Sequence, residues 1–447
     1  MESPWSRTVK RTDDGALSVG GADVRELAGE FGTPLYVVDE EDLRSRAREF
    51  RDEFSAAFAA HGAELDVFYA SKALLTSRIA SWIAEDGLSI DVASGGELEL
   101  ALRGGMPAER IALHGNNKSN EELHRALEVG IGRIIVDSFT EIEVLDAIAR
   151  ELEVVAPVLV RVTTGVHAGG HEYIATSHED QKFGLSLATG AAFEALNACH
   201  DAAGIELLGI HTHIGSQILS IDAFRESAER MLGLRAAFAA ETGVDLPEVD
   251  LGGGYAIRYT DSDDELTPAE AAAGIAGAVA SALENAGGDW PRLSIEPGRA
   301  IAGPAGMTLY RVGVVKHVVL DDDGHRQYVA VDGGMSDNMR TITYGAEYTA
   351  AIASRLSDAV PALSRVVGKH CESGDVVVRD VDLPNDIERG DLLAVPATGA
   401  YGRVMANNYN SALRPAVVSV RNGVATVHIR RDTIADLLDW DVWRGRL

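Results

Sequence analysis

Short apolar runs recur along the first 300 residues, each followed by a stretch of helical periodicity. The runs are VFYA (67–70), LSIDVA (88–93), IALH (111–114), RIIVD (133–137), VLVRV (158–162), LLGIHTHI (207–214), VDLGGG (249–254) and LSIEPG (293–298). The first four begin about 22 residues apart. Between them, segments such as LLTSRIASWIAEDG and TEIEVLDAIAREL repeat apolar residues every three or four positions, as one face of a helix does. Near-continuous apolar strands suit a parallel sheet covered on both faces. Eight such units over about 260 residues predict a (β/α)8 barrel, and a row of eight favours closure over an open doubly wound sheet.

From about residue 306 the period changes to two. MTLYRVGVVKHVVL, RQYVAVDGG, RVVGKH, DVVVRD, DLLAVPAT, PAVVSVRNG and VATVHIRR alternate apolar and polar positions, with Gly or Asp turns between them. That pattern predicts an antiparallel β domain. The segment before residue 34 is too short to stand alone and is expected to pack with it. The expected organisation is therefore a barrel over 34–305 and a β-sandwich or β-barrel-like domain built from 1–33 and 306–447.

A chain of 447 residues has room for two such domains. The formal net charge of −29 argues against nucleic acid and anionic membrane surfaces, since neither binds a face without basic groups. No run approaches the roughly 18 apolar residues that span a bilayer, and the N-terminus lacks the apolar stretch of a secretory signal. A cytoplasmic enzyme is the expectation. Two cysteines, Cys199 and Cys371, make no disulfide framework. No His/Cys cluster has zinc spacing, so no metal is expected, and HTH at 211–213 is taken as strand with its two histidines on opposite faces.

Polar residues gather at the C-terminal ends of the eight runs: Lys72, Asp91, His114, Asp137, Arg161, His213, Gly252 to Gly254 and Glu296. Barrel enzymes assemble their sites at that end. Lys72 is an amine among Tyr69, Ala70, Ala73 and Leu74, expected to be partly desolvated there and able to attack a carbonyl. A structural ion pair with Asp91 is the plain alternative. GGG after the seventh strand frees backbone N–H groups to wrap a phosphate. Ser216 and Gly298 can add donors, and Arg299 can pair with phosphate or carboxylate. His213 offers a flat ring for stacking, and Glu296 a carboxylate able to hold a proton on a ring nitrogen. Together these describe a site for pyridoxal 5′-phosphate, which needs an amine, a phosphate cradle and an acidic partner at its pyridine nitrogen.

The series YASKA, HTHIGSQ, DLGGGY, EPGRAIAG, VDGGMSDNMR, CESGD and ATGAY resembles the diaminopimelate decarboxylases, fold-type III pyridoxal-phosphate enzymes, from about residue 30 to 435. The resemblance implies decarboxylation of meso-2,6-diaminopimelate to L-lysine, the last step of lysine biosynthesis. It implies a Schiff base at Lys72, stacking by His213, and Glu296 at the pyridine nitrogen. Ser216, Gly254, Glu296, Pro297, Gly298 and Arg299 would hold the cofactor, with Tyr401 by the phosphate and substrate. Arg299, Arg340 and Tyr344 would grip the distal carboxylate. Cys371, as proton donor, and Glu372, at the distal amine, would enter from the partner subunit of a homodimer. Asn407 and Thr341 depart from residues common in the family, serine and proline, and touch no implied role. The stretch 163–186 resembles the family's loop over the active site; His171 and Lys182 there receive no role. A related decarboxylase of another amino acid is the alternative. An alanine racemase-like enzyme would place arginine where Glu296 stands, and a pyridoxal-phosphate-binding regulator would have no use for Cys371, Glu372, Arg340 and Tyr344.

Overall fold

The structure is a computed structural model that describes residues 4–166, 182–321 and 324–443. The chain divides into two compact units. One runs from Arg44 to Ala256 and from Asp264 to Ile301. The other takes the N-terminal residues to Leu43, the segment Ile257–Asp263, and the chain from Ala302 onward.

The first unit is a closed barrel of eight parallel strands. In chain order they are Leu65–Ala70, Ser89–Val92, Ile111–Leu113, Arg133–Val136, Ala156–Thr163, Ile205–His211, Glu248–Asp250 and Arg292–Ile295. Neighbours pair in sequence, and closure comes from Leu293 opposite Leu65 between the eighth and first strands. A two-residue strand, Leu185–Ser186, lies parallel beside the fifth. The apolar runs are buried on both faces: Ile90, Ile134, Val158, Leu159 and Ile295 are fully inaccessible. Burying one such side chain contributes about 1.5–3 kcal/mol, which explains the near absence of alternation in these strands. The intervening helices are bounded by sequence-local caps. Ser119 and Glu122 form a capping box before Asn120–Val129, as do Thr267 and Glu270 before Pro268–Ala286. Gly209 sits at a register shift in the sixth strand, where a Cβ would stand 2.0 Å from the Glu248 carbonyl oxygen.

The second unit is a sheet in the order Val376–Pro384, Pro361–Val367, His325–Val331, Gly306–Val319, Leu35–Asp39, Ala416–Arg421, Val424–Ile429. Leu392–Val395 also pairs with the long strand Gly306–Val319. Most pairs are antiparallel. His325–Val331 with Pro361–Val367, and Leu35–Asp39 with Ala416–Arg421, are parallel. Both parallel pairs join strands separated by long connections, which leave room for a crossover. A three-stranded sheet, Lys10–Arg11, Leu17–Val19 and Ala22–Asp23, precedes them. Its Leu17 and Val19 share a core with Leu35, Val37, Leu309 and Val418.

The unit boundaries differ from those expected. Leu35–Asp39 belongs to the β unit rather than the barrel, because it hydrogen-bonds between Gly306–Val319 and Ala416–Arg421. Its composition, LYVVD, is as apolar as a barrel strand, and only pairing distinguishes the two. Ile257–Asp263 likewise leaves the barrel unit in mid-chain.

Candidate active site

At the C-terminal end of the barrel, Glu296 directly follows the eighth strand and is 7% exposed. His114, just past the third strand, places Nε2 3.0 Å from Glu296 Oε1. His211, the last residue of the sixth strand, places Nε2 3.2 Å from the same oxygen. The two imidazoles meet edge to face with centroids 4.9 Å apart. Burial pushes the Glu296 carboxyl up, but the two imidazoles outweigh it and hold the group well below the usual carboxylate range. Burial lowers His114 to about 4, so its ring is neutral near pH 7. Burial, then the charge of Glu296, raises Asp91 well above its ordinary value and Asp250 to about 7. Glu296 thus keeps its charge while its acidic neighbours are pushed to protonate.

The two histidines of HTH do not lie on opposite faces of one strand. On a strand, residues two apart share a face, so 211 and 213 would not point oppositely. The strand in fact ends at His211, and His213 stands in the following loop. Gly253 N donates to His213 Nδ1 over 3.1 Å. His114, His211 and Glu296 together bring three possible metal-ligand atoms within 4.8 Å. Spacing along the chain conceals this cluster because its members come from three different strands.

The GGG turn is built for close backbone approach. Gly252 and Gly254 have φ of 69° and 110°. A Cβ on Gly253 would lie 2.2 Å from the Glu296 carbonyl oxygen, and one on Gly254 2.4 Å from that of Gly215. Asp250 fixes the entry to the turn, accepting from Gly252 N at 2.7 Å and from Ser294 Oγ at 2.8 Å. Arg299, buried, donates from Nη2 to Ser216 Oγ over 2.7 Å. Pro297 and Gly298 pack on the end of the first strand: Ala70 N donates to the Pro297 carbonyl at 3.4 Å, and a Cβ on Gly298 would meet Ala70 Cβ at 2.7 Å. Lys72 follows on the short turn Ser71–Ala73 and is exposed, against the partial burial its neighbours suggested. The apolar side chains around it, Tyr69, Ala73 and Leu74, turn into the core instead. Asp91 does not ion-pair with Lys72; its Oδ1 accepts from Ser71 N at 3.2 Å. Beside this end a buried network ties Asp137 to two residues the sequence did not single out, running from Lys118 to Glu141 at 2.6 Å and from Glu141 to Asp137 N at 3.0 Å. Arg161 lies 3.8 Å from Asp137 and over the Phe183 ring.

The β unit holds the remaining expected residues. Arg340 is 6% exposed and donates to the Tyr348 hydroxyl at 2.6 Å. Its guanidinium lies 4.8 Å from the Tyr259 ring centroid and 5.9 Å from that of Tyr401. Tyr401 adopts φ +58°, an uncommon conformation for a non-glycine residue. Tyr344 ends the short helix Arg340–Tyr344 and is half-buried. Tyr259 and Tyr348 were not foreseen. Cys371 and Glu372 are exposed on the CESGD loop. Asp375 ties that loop down, accepting from Met335 N at 2.6 Å and His370 N at 2.8 Å. Cys199 is the opposite case: burial pushes its thiol up to about 12. His171 lies outside the described residues. Lys182 is exposed with Nζ 4.7 Å from the Phe183 centroid.

A family model described as the pyridoxal-binding domain of pyridoxal-dependent decarboxylases matches residues 40–303. Diaminopimelate decarboxylase of Mycobacterium tuberculosis is 50% identical over 442 residues, covering 98% of this chain and 97% of the relative. The chain belongs to the diaminopimelate decarboxylase family. The Bacillus subtilis member is 45% identical over 435 residues, covering 97% of each chain. The crystal structure of the M. jannaschii diaminopimelate decarboxylase in complex with L-lysine matches with a TM-score of 0.91 at 32% identity, over 98% of both chains. That of the Helicobacter pylori enzyme with L-lysine gives 0.83 at 29% identity, over 94% of this chain and 99% of the other. Members of this family are pyridoxal-phosphate-dependent carboxy-lyases, and this chain is one. The residues at the barrel end fit that cofactor: an ionised carboxylate in a dry setting, glycines where no Cβ fits, an arginine and serine beside them, and an accessible amine. Among the described residues no helix is long and apolar enough to cross a membrane.

Proposed function

We propose that the protein removes CO2 from one of the two α-carbons of meso-2,6-diaminopimelate to yield L-lysine. Pyridoxal phosphate supplies, when bound, an electron sink for the electrons released as CO2 leaves. In this reading Lys72 binds the cofactor's aldehyde carbon through its amine. Glu296 holds a proton on the ring nitrogen, His213 lies on the ring face, and Ser216, Gly254, Pro297, Gly298 and Arg299 hold the phosphate end. The observation that carries the reading is the buried Glu296 carboxylate just past the eighth strand, with Nε2 of His114 and of His211 3.0 and 3.2 Å from its Oε1. A charged carboxylate can keep a ring nitrogen protonated; an arginine there would leave it neutral.

Substrate choice rests on the β unit. Arg340, with Tyr344 and with Arg299, takes the distal carboxylate, a task for which a buried guanidinium is suited because it can bind both oxygens. Tyr401 sits beside phosphate and substrate, and Glu372 takes the distal amine. Cys371 delivers a proton to the carbon that lost CO2. The exposure of Cys371 and Glu372 supports their serving a second copy of the chain, in a homodimer with shared sites. A cytoplasmic location accords with a biosynthetic role. The test is CO2 release by the purified holoenzyme on meso-diaminopimelate, L-ornithine and L-lysine. Release confined to diaminopimelate is expected; preference for ornithine would transfer the reading to another decarboxylase.

A further inference from the structure

We propose that His370 is a positioning residue for the proton donor. Its buried imidazole holds the loop carrying Cys371 and Glu372 in place for the partner subunit's site, not for the site around its own chain's Lys72. This rests on the shared-site reading given above. Cys371 and Glu372 are exposed, so their placement depends on the residues flanking them. His370 stands immediately before them and Asp375 just after, and both are buried. Asp375 fixes the loop's backbone, accepting from Met335 N and from His370 N. That carboxylate has little room to shift: a Cβ on Gly334 would stand 2.5 Å from its Oδ1, and one on Gly368 2.2 Å from its Oδ2.

The imidazole fixes the loop from a second side. Its Nε2 is hydrogen-bonded with Ser336 Oγ at 2.8 Å, and its Nδ1 with Asn410 Oδ1 at 3.1 Å. An amide oxygen only accepts, so Nδ1 carries a proton. The ring lies against Tyr409, with centroids 5.4 Å apart. Lys369 N donates to the Gly333 carbonyl at 3.0 Å, and Asn407 N to that of Ser336 at 2.9 Å. One side chain thus joins three segments far apart in the chain: 333–336, 368–375 and 407–410. Both ring nitrogens are occupied by these partners, so the ring places Cys371 rather than exchanging protons with it. Placement matters because a reacting group displaced by about 1 Å can lose a hundredfold in rate.

The test places His370→Leu in hybrid dimers. One chain carries Lys72→Ala and the other Cys371→Ala, with different affinity tags so that hybrids are isolated as holoenzyme. The intact site of such a hybrid takes Lys72 from the second chain and the 370–372 loop from the first. On the Lys72→Ala chain, His370→Leu is expected to lower kcat about 10- to 100-fold. KM should rise there as well, since Glu372 moves with Cys371. On the Cys371→Ala chain the same substitution should leave kcat within about twofold, as separate sites do not couple. Cofactor affinity, measured by titration, should match between the two arms. His370→Gln, which can still reach Ser336 Oγ, should restore most of the lost kcat. Equal losses in the two arms, or no loss in either, would overturn the proposal. So would a loss of cofactor affinity in step with kcat, the mark of a generally damaged fold. Where His370→Leu does not fold, Ser336→Ala, which removes one of the ring's two hydrogen bonds, is compared across the same arms under the same criterion. Inactive hybrids without any His370 substitution would remove the shared-site reading and this proposal with it. Active hybrids indifferent to His370→Leu would remove only the positioning role.

Discussion

Single residues here owe their chemistry to their contacts. Glu296 and Asp250 both lie buried at the barrel end, yet one stays ionised and the other rises to about 7, because only Glu296 has two imidazoles on its carboxylate. His114 shows the cost of that arrangement. Its folded value of about 4 lies below its ordinary 6.5, so its contribution to stability is complete above pH 6.5 and is lost as pH falls toward 4. The full span is worth about 3 kcal/mol. Unfolding midpoints of wild type and His114→Leu should therefore converge as pH drops from 7 to 5; parallel curves would show that His114 is not held neutral. Arg340→Ala should raise KM for diaminopimelate roughly ten- to a hundredfold, the loss of about 1.5–3 kcal/mol for a charge-assisted contact. An unchanged KM would place substrate recognition elsewhere.

At the scale of elements, the eight apolar strands were legible because burial on both faces leaves a plain signature. The strand Leu35–Asp39 was not, since LYVVD is equally buried in either sheet and its partners come from the far end of the chain. Parallel pairing inside the β unit was hidden for the same reason: alternation reports which faces are buried, not strand direction. The convergence of His114 and His211 on Glu296 depends on closure of the barrel, which no local spacing records. Lys72 was found by its rarity and neighbours, but its exposure was misjudged because those neighbours face inward while it does not. The glycine turn makes a test at this scale. Gly253→Ala would drive a Cβ to 2.2 Å from the Glu296 carbonyl oxygen, so the turn and the following segment must shift. A loss of about 1–3 kcal/mol in stability is expected, together with weaker cofactor binding measured by titration. Unaltered cofactor affinity would separate the turn from the phosphate site. Gly209→Ala, equally crowded against Glu248 in mid-strand, should lower stability and serves as the control for crowding alone.

At the scale of the whole molecule, the proposed sharing of active sites between two copies of the chain can be tested by complementation. Lys72→Ala and Cys371→Ala should each be inactive alone. Mixed, dissociated and reassociated, they should recover about a quarter of wild-type activity, because half the dimers are hybrid and each hybrid carries one intact site. No recovery would mean that both residues act within one chain. The acidic surface implied by a net charge of −29 also bears on this scale, since like-charged copies repel and pairing should strengthen with salt.

The chemistry proposed for the barrel end requires the cofactor to be anchored at one amine, and that is directly measurable. The holoenzyme would be reduced with borohydride, digested, and the cofactor-bearing peptide identified by mass spectrometry. Cofactor mass on the peptide containing Lys72 is the expected result. Cofactor on Lys118, Lys182 or another amine, or none retained on any peptide, would contradict the assignment of the barrel end as the site of chemistry.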